Sequence, residues 1–346
     1  MKHDLPPFLP TGVGSLPHAD PDPAVRLVLK VFRDVPHWPQ LPRRGFLENM
    51  YIQFAQGLPG AVIDGEKLFV EGGESILAET EGFYERFLTE DASSFALSPE
   101  RAAGLHCLLA SGTGPHLAAK GQVTGPVSFG LMITGRGKRP IFYDPMARDV
   151  LVKHLLRVAQ WQVSQLARLS SNVILVLDEP YLASVGSAML SLGREEVVGS
   201  LDEIFAGLPG TLCGIHCCAN TDWGLVLSSR TQLLSFDAYE YADALLLYPE
   251  EVDAFLGRGG KLAFGIVPTS AKGICDETPE TLADRMEAIL RKFESRGIGR
   301  ESVIRAALLT PACGLGTLSV EDAERAVLLT GDLHILLTRR YGGSPA

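Results

Sequence analysis

Six cysteines in 346 residues, at positions 107, 213, 217, 218, 275 and 313, are too few and too unevenly spaced to staple a disulfide scaffold. A reduced, cytoplasmic setting is therefore expected, where clustered cysteines point to metal binding or catalysis. Basic residues are also scarce: 31 Lys and Arg stand against 41 Asp and Glu, a formal net charge of −10. A general nucleic-acid binder draws its affinity from Lys and Arg on the phosphate backbone. The charge argues against that class, while a local site for a small anion stays open. The sequence contains no run of about 18 apolar residues, so no membrane span is expected. The opening MKHDLPPFLP lacks an apolar stretch of signal-peptide type. Short repeats, low-complexity tracts and linker-like shifts in composition are absent too. The expectation is a single domain over residues 1–346.

What the chain does have is apolar material in a regular order. It is 46% hydrophobic and 21% charged, which suits a sizeable core. Eight β-type runs are read at 9–16, 67–73, 117–126, 172–180, 211–218, 232–240, 261–268 and 305–314. Helical patterns lie at 24–32, 145–169, 193–207, 221–229, 249–257, 278–296 and 320–339. Strand–helix alternation of this kind predicts an α/β protein, a single (β/α)8 TIM barrel. A doubly wound open sheet would alternate in the same way. The polar residues favour the barrel, because they repeatedly follow the C-terminal ends of strands, where barrel active sites form.

One stretch concentrates the chemistry. GIHCCAN (214–220) sets a histidine and two cysteines in an apolar run. Residues i and i+2 of a strand share a face, so His216 and Cys218 point together and Cys217 points away, into the helical layer. Zinc takes about four ligands from Cys, His and carboxylate. Glu240 closes the run at 232–240 and Cys313 closes the last run, in TPACGLG. His216, Cys218, Glu240 and Cys313 therefore form a candidate zinc site at one end of the barrel. An exchangeable carboxylate marks such a site as catalytic. Asp237 competes with Glu240, and Cys107, Cys213 and Cys275 read as core or incidental residues.

These residues resemble those of a known family. IHCCANTDW, FDAYE and TPACGLGTLS are similar to the catalytic C-terminal barrel of cobalamin-independent methionine synthase, and Glu240 stands 24 residues after His216. PTGVGSLPH, VTGPVS and VLDEPYL match further family segments in the same order, so the resemblance spans nearly the whole chain. It implies a (β/α)8 barrel that binds zinc and moves a methyl group onto the thiol of homocysteine, giving methionine. Zinc would hold the substrate as a thiolate ready to attack a methyl donor, and that thiolate would displace Glu240. Gly14 and Ser15 would meet the amino-acid end of the substrate, and Asp178 its ammonium. From the residues alone, Gly14 and Ser15 read rather as a tight turn and Asp178 as a helix cap.

The departures concern the donor. Where the family has a tryptophan beneath its folate, FGLMI places Met132 nearby. Where it has a catalytic histidine, GIVPTSAKG offers Thr269, Ser270 and Lys272. A second substrate-binding glutamate is replaced in NMYIQF by Ile52, with Glu48 close by as a substitute. The zinc end is retained and the folate end is lost. The expectation is a methylated corrinoid donor, free or carried by a corrinoid protein. Corrinoid-linked methylation of another thiol such as coenzyme M, or zinc and thiol binding without turnover, are the alternatives.

Overall fold

A computed structural model describes residues 5–71, 74–112, 114–135, 138–185, 190 and 192–341. The strands, in chain order, are β1 (Leu9–Pro10), β2 (Ala61–Asp64), β3 (Lys67–Val70), β4 (Ala119–Thr124), β5 (Val173–Asp178), β6 (Leu212–Cys217), β7 (Leu233–Phe236), β8 (Lys261–Val267) and β9 (Ala307–Pro311). Seven of them make one parallel sheet in the order β1-β9-β8-β7-β6-β5-β4. The helices are α1 (Pro21–Val31), α2 (Glu74–Thr89), α3 (Ala103–Ala110), α4 (Pro126–Met132), α5 (Pro145–Leu166), α6 (Arg194–Ala206), α7 (Trp223–Leu227), α8 (Ala238–Leu245), α9 (Pro249–Gly257), α10 (Ala271–Asp276), α11 (Pro279–Ser295), α12 (Arg300–Ala306) and α13 (Val320–Tyr341). Among the described residues, no helix is long and apolar enough to cross a membrane.

The local chemistry explains where several helices start. Asp20, Asp144 and Thr278 cap α1, α5 and α11 by accepting hydrogen bonds from first-turn N–H groups, and each is followed by proline at the first helical position.

The strands β4, β5 and β6 are buried along their whole length, as expected for a parallel sheet covered on both faces. Their side chains separate into two apolar groups. Leu9, Ala118, Ile174, Leu212, Leu233, Ala263 and Leu308 form one cluster, with a contribution from every strand of the sheet or the residue beside it. Leu175, Ile215, Cys217, Leu234, Phe236 and Phe264 turn the other way and pack in the larger core with the helices. The sheet is thus curled around an interior of its own.

Two sequence expectations need correction. The run at 67–73 is a strand only as Lys67–Val70, and it pairs antiparallel with β2 in a separate hairpin. Residues 72 and 73 lie outside the described residues. A two-residue turn at Gly65–Glu66, with Gly65 at φ +57°, makes the hairpin. The place beside β4 goes instead to residues 34–40, a stretch without strand character in the sequence. Lys120 N–H donates to the Pro36 carbonyl at 2.8 Å, and Trp38 N–H to the Lys120 carbonyl at 3.3 Å. On its other side the segment exchanges bonds with Gly14 and Leu16, just past β1. Pro36 and Pro39 supply no N–H, which accounts for bridges rather than a continuous ladder. Val35 joins the interior cluster.

Candidate metal centre

Parallel pairing puts Thr124, Asp178, His216 and Ser235 at one level across β4, β5, β6 and β7. On β6 the alternation sends Leu212, Gly214 and His216 to the interior and Cys213, Ile215 and Cys217 to the helices. Cys217 is fully buried there, and burial pushes its thiol up to about 12. Cys218 is the first residue beyond the strand, and Cys313 stands two residues beyond β9.

One ligand atom each from His216, Cys218 and Cys313 lies within 4.8 Å of the other two. His216 Nδ1 is 2.9 Å from Ser235 Oγ, whereas its Nε2 is buried without a hydrogen-bond partner among the described residues. A buried polar atom left unpaired is costly. Here a cation would satisfy it, with Nδ1–H donating to Ser235 to fix the tautomer. The closeness of Cys313, and then of His216, holds the Cys218 thiol well below its usual range. The same contact with Cys218, together with burial, pushes Cys313 up. One imidazole nitrogen and two sulfurs, one already inclined to the thiolate, are a donor set that suits zinc.

Glu240 is not part of this cluster. The strand expected at 232–240 ends at Phe236, and Glu240 is an exposed residue in the first turn of α8. The early break has a local cause: Asp237 caps the helix by accepting the Glu240 N–H at 2.9 Å. The Asp237 carboxyl is raised to about 6, first by burial, and it also feels the negative charges of Glu240 and Cys218. Asp237 therefore reaches the electrostatic surroundings of the cluster.

The remaining expected residues divide between the site and the scaffold. Gly14, Ser15 and Cys313 line one small crevice. Ser15 Oγ accepts the Gly316 N–H at 3.2 Å, joining the strand-1 loop to the loop after Cys313. Asp178 is buried, with Oδ1 unpartnered among the described residues. Burial raises its carboxyl to about 6, against the lowering effect of His216 and Lys120. Glu48 has other work: it accepts from Leu41 N–H at 3.1 Å and Ala103 N–H at 3.4 Å and pairs with Arg44 at 2.8 Å. Those bonds occupy both oxygens, which leaves the carboxylate tying a loop rather than facing a ligand. Ser270 caps α10, and Met132 is exposed at the end of α4.

Three residues of this region were not singled out in the sequence. Tyr51 feels the charges of Glu179, Asp178 and Cys218 while lining a cleft with Phe69 and Met132. Glu179 accepts the N–H groups of Val127 (2.9 Å) and Ser128 (2.7 Å) and the Ser128 hydroxyl (2.6 Å) at the start of α4. Lys120 is buried inside the curled sheet. Only Glu179 carried a signal, as the second acid of DEP.

No family model matches the chain, and no curated protein is significantly similar to it. Solved structures do match. A B12-independent methionine synthase from Shewanella sp. W3-18-1, in complex with selenomethionine, superposes with a TM-score of 0.60 at 15% identity, covering 98% of this chain and 100% of that one. The chain has the fold of methionine synthase-like proteins. A protein assigned as a vitamin-B12-independent methionine synthase from Listeria monocytogenes matches with a TM-score of 0.60 at 13% identity, over 96% and 98% of the two chains. A methyltransferase from Methanosarcina mazei matches with a TM-score of 0.53 at 11% identity, over 95% and 94%. The methionine synthase-like fold therefore extends over essentially the whole chain.

Proposed function

We propose that this protein is a zinc-dependent methyltransferase that methylates the thiol of homocysteine, using a donor other than methylfolate. The observation that carries this reading is the His216–Cys218–Cys313 cluster at the C-terminal ends of the parallel strands, with a buried Nε2 that is unpaired among the described residues. The fold is read as a single (β/α)8 barrel whose ring is completed by residues 34–40, in keeping with their bonds to β4 and to Gly14. Active sites of such barrels form where this cluster lies.

His216 Nε2 and the sulfurs of Cys218 and Cys313 would hold the ion. Bound zinc supplies the positive charge that keeps a thiol deprotonated near neutral pH. The protein does the rest. Ser235 fixes the His216 ring, Gly14 and Ser15 offer the strand-1 loop to the substrate carboxylate, and the free oxygen of Asp178 is available to its ammonium. The sulfur then displaces the donor from the methyl carbon, and the bonding electron pair leaves with the donor. A methylated corrinoid, free or protein-bound, fits the loss of the family's tryptophan and histidine at Met132 and at Thr269–Lys272.

Glu240 is proposed as the exchangeable fourth donor, reached from the first turn of α8. Chelator competition tests it: Glu240→Gln should weaken zinc retention about tenfold or more. Asp237→Asn keeps a capping oxygen for the Glu240 N–H and should leave stability and zinc retention nearly unchanged. The opposite order would give the ligand role to Asp237.

The deciding assay crosses methylcobalamin and methyltetrahydrofolate with homocysteine and coenzyme M. Transfer from methylcobalamin to homocysteine is expected, with methyltetrahydrofolate slower by roughly 100-fold or more. Efficient use of methyltetrahydrofolate without corrinoid would overturn the donor assignment. Methylation of coenzyme M alone would overturn the acceptor.

A further inference from the structure

The side chains of Ala119 and Val123 on β4 face the helices, and a Cβ added to Gly121 between them would lie 2.1 Å from Gln162 Oε1 of α5. Lys120 and Gln122 therefore face inward, and Lys120 is only 4% exposed. A buried ammonium is expensive, and an apolar side chain of similar volume is commonly as stable or more so. The work done by this one is visible in its bonds. Nζ donates to the Val13 carbonyl at 2.7 Å and to Gln122 Oε1 at 3.3 Å, and Gln122 passes its own N–H to the Trp38 carbonyl at 3.0 Å. Val13 immediately precedes Gly14 and Ser15. The loop is tightly confined at that point, because a Cβ on Gly14 would sit 2.7 Å from Gln40 Oε1 and 3.1 Å from Gln122 Cδ. On its far side, Ser15 is bound to Gly316. Asp178, on the neighbouring strand, is the carboxylate that feels the Lys120 charge.

We propose that Lys120 is a positioning residue for an amino-acid-type thiol: it fixes the loop that meets the substrate carboxylate and balances the Asp178 charge that meets the ammonium. This rests on the reading of Gly14, Ser15 and Asp178 as the amino-acid end of the site. Lys120 touches neither the metal cluster nor the sulfur, so its loss should be felt by one half of the substrate only.

The test measures binding of two thiols to the zinc-loaded protein by calorimetry: homocysteine, and propanethiol, which lacks the carboxylate and ammonium. Lys120→Met should weaken homocysteine on the order of 30-fold, leave propanethiol and zinc content unchanged, and be partly rescued by Lys120→Arg. Lys120→Gln keeps a donor for Val13 without the charge, and it serves if the methionine variant does not fold. If native protein binds homocysteine and the folded variants bind it equally well, the proposal fails alone. Equal loss for both thiols also overturns it, since Lys120 would then act on the metal end or the whole fold. If native protein binds propanethiol but ignores homocysteine, the functional reading fails and the proposal with it.

Discussion

Cys218→Ser and Cys313→Ser are each expected to empty the metal centre and to cut methyl transfer by about a thousandfold or more, while Cys217→Ser keeps its metal. A serine hydroxyl stays protonated near neutral pH and is a poor replacement for thiolate. Each substitution also breaks the Cys218–Cys313 contact that pulls one thiol toward its anion. Cys217 is adjacent in sequence to one of these residues but opposite in direction. Its sulfur lies in the apolar layer near the Ala219 carbonyl, so a hydroxyl there should cost about 1–2 kcal/mol of stability and no zinc. Metal content by mass spectrometry, followed by turnover, separates the three. Equal loss of zinc from all of them would show that the strand does not present one cysteine to the site and its neighbour to the helices.

The second large effect is on stability. Glu179→Leu is expected to destabilise the protein by about 3 kcal/mol, roughly a 150-fold change in the folded-to-unfolded ratio. The carboxylate occupies the start of α4, where three donors converge on it and where Gly125 leaves it room: a Cβ at that glycine would be 2.2 Å from Glu179 Oε1. Leucine would leave the Val127 and Ser128 N–H groups buried without acceptors. Glu179→Gln keeps one acceptor oxygen but turns an amide toward a donor, so it should fall between leucine and the native residue. Chemical denaturation checks the series. A Leu variant with native stability would mean that the helix start is satisfied in some other way.

Much of this architecture can be read from the residues because parallel strands leave strong marks. VILVLD and LCGIHC are apolar but for Asp178 and His216 near their C-terminal ends, and each appears as a fully buried strand. The period of two is what separates Cys217 from Cys218. Helices announced by an acid or threonine before proline begin within a few residues of their expected positions. Two features were hidden for physical reasons. The segment at 34–40 carries Pro36, His37, Trp38 and Pro39, and its place depends on carbonyls offered to β4 rather than on strand propensity. The end of β7 is hidden because FDAYE reads on from the apolar run, whereas Asp237 turns the backbone into a helix one residue past the strand. The role of Lys120 was equally invisible. Nothing in AAKGQVTG distinguishes a solvated lysine from one sealed inside the sheet, since only the alternation of its neighbours against α5 decides it.

The segment at 34–40 has one more consequence, for the behaviour of the protein in crowded solution. An exposed outer strand is a template on which other chains can add by backbone pairing, the first step toward aggregates. On β4 that template is already taken: the Ala118 and Lys120 N–H groups are bonded to the Asp34 and Pro36 carbonyls. Pro36 and Pro39 in turn have no N–H to offer an incoming strand. The same short, proline-broken stretch that bonds the outer edge at the start of β4 also makes it a poor nucleus for assembly.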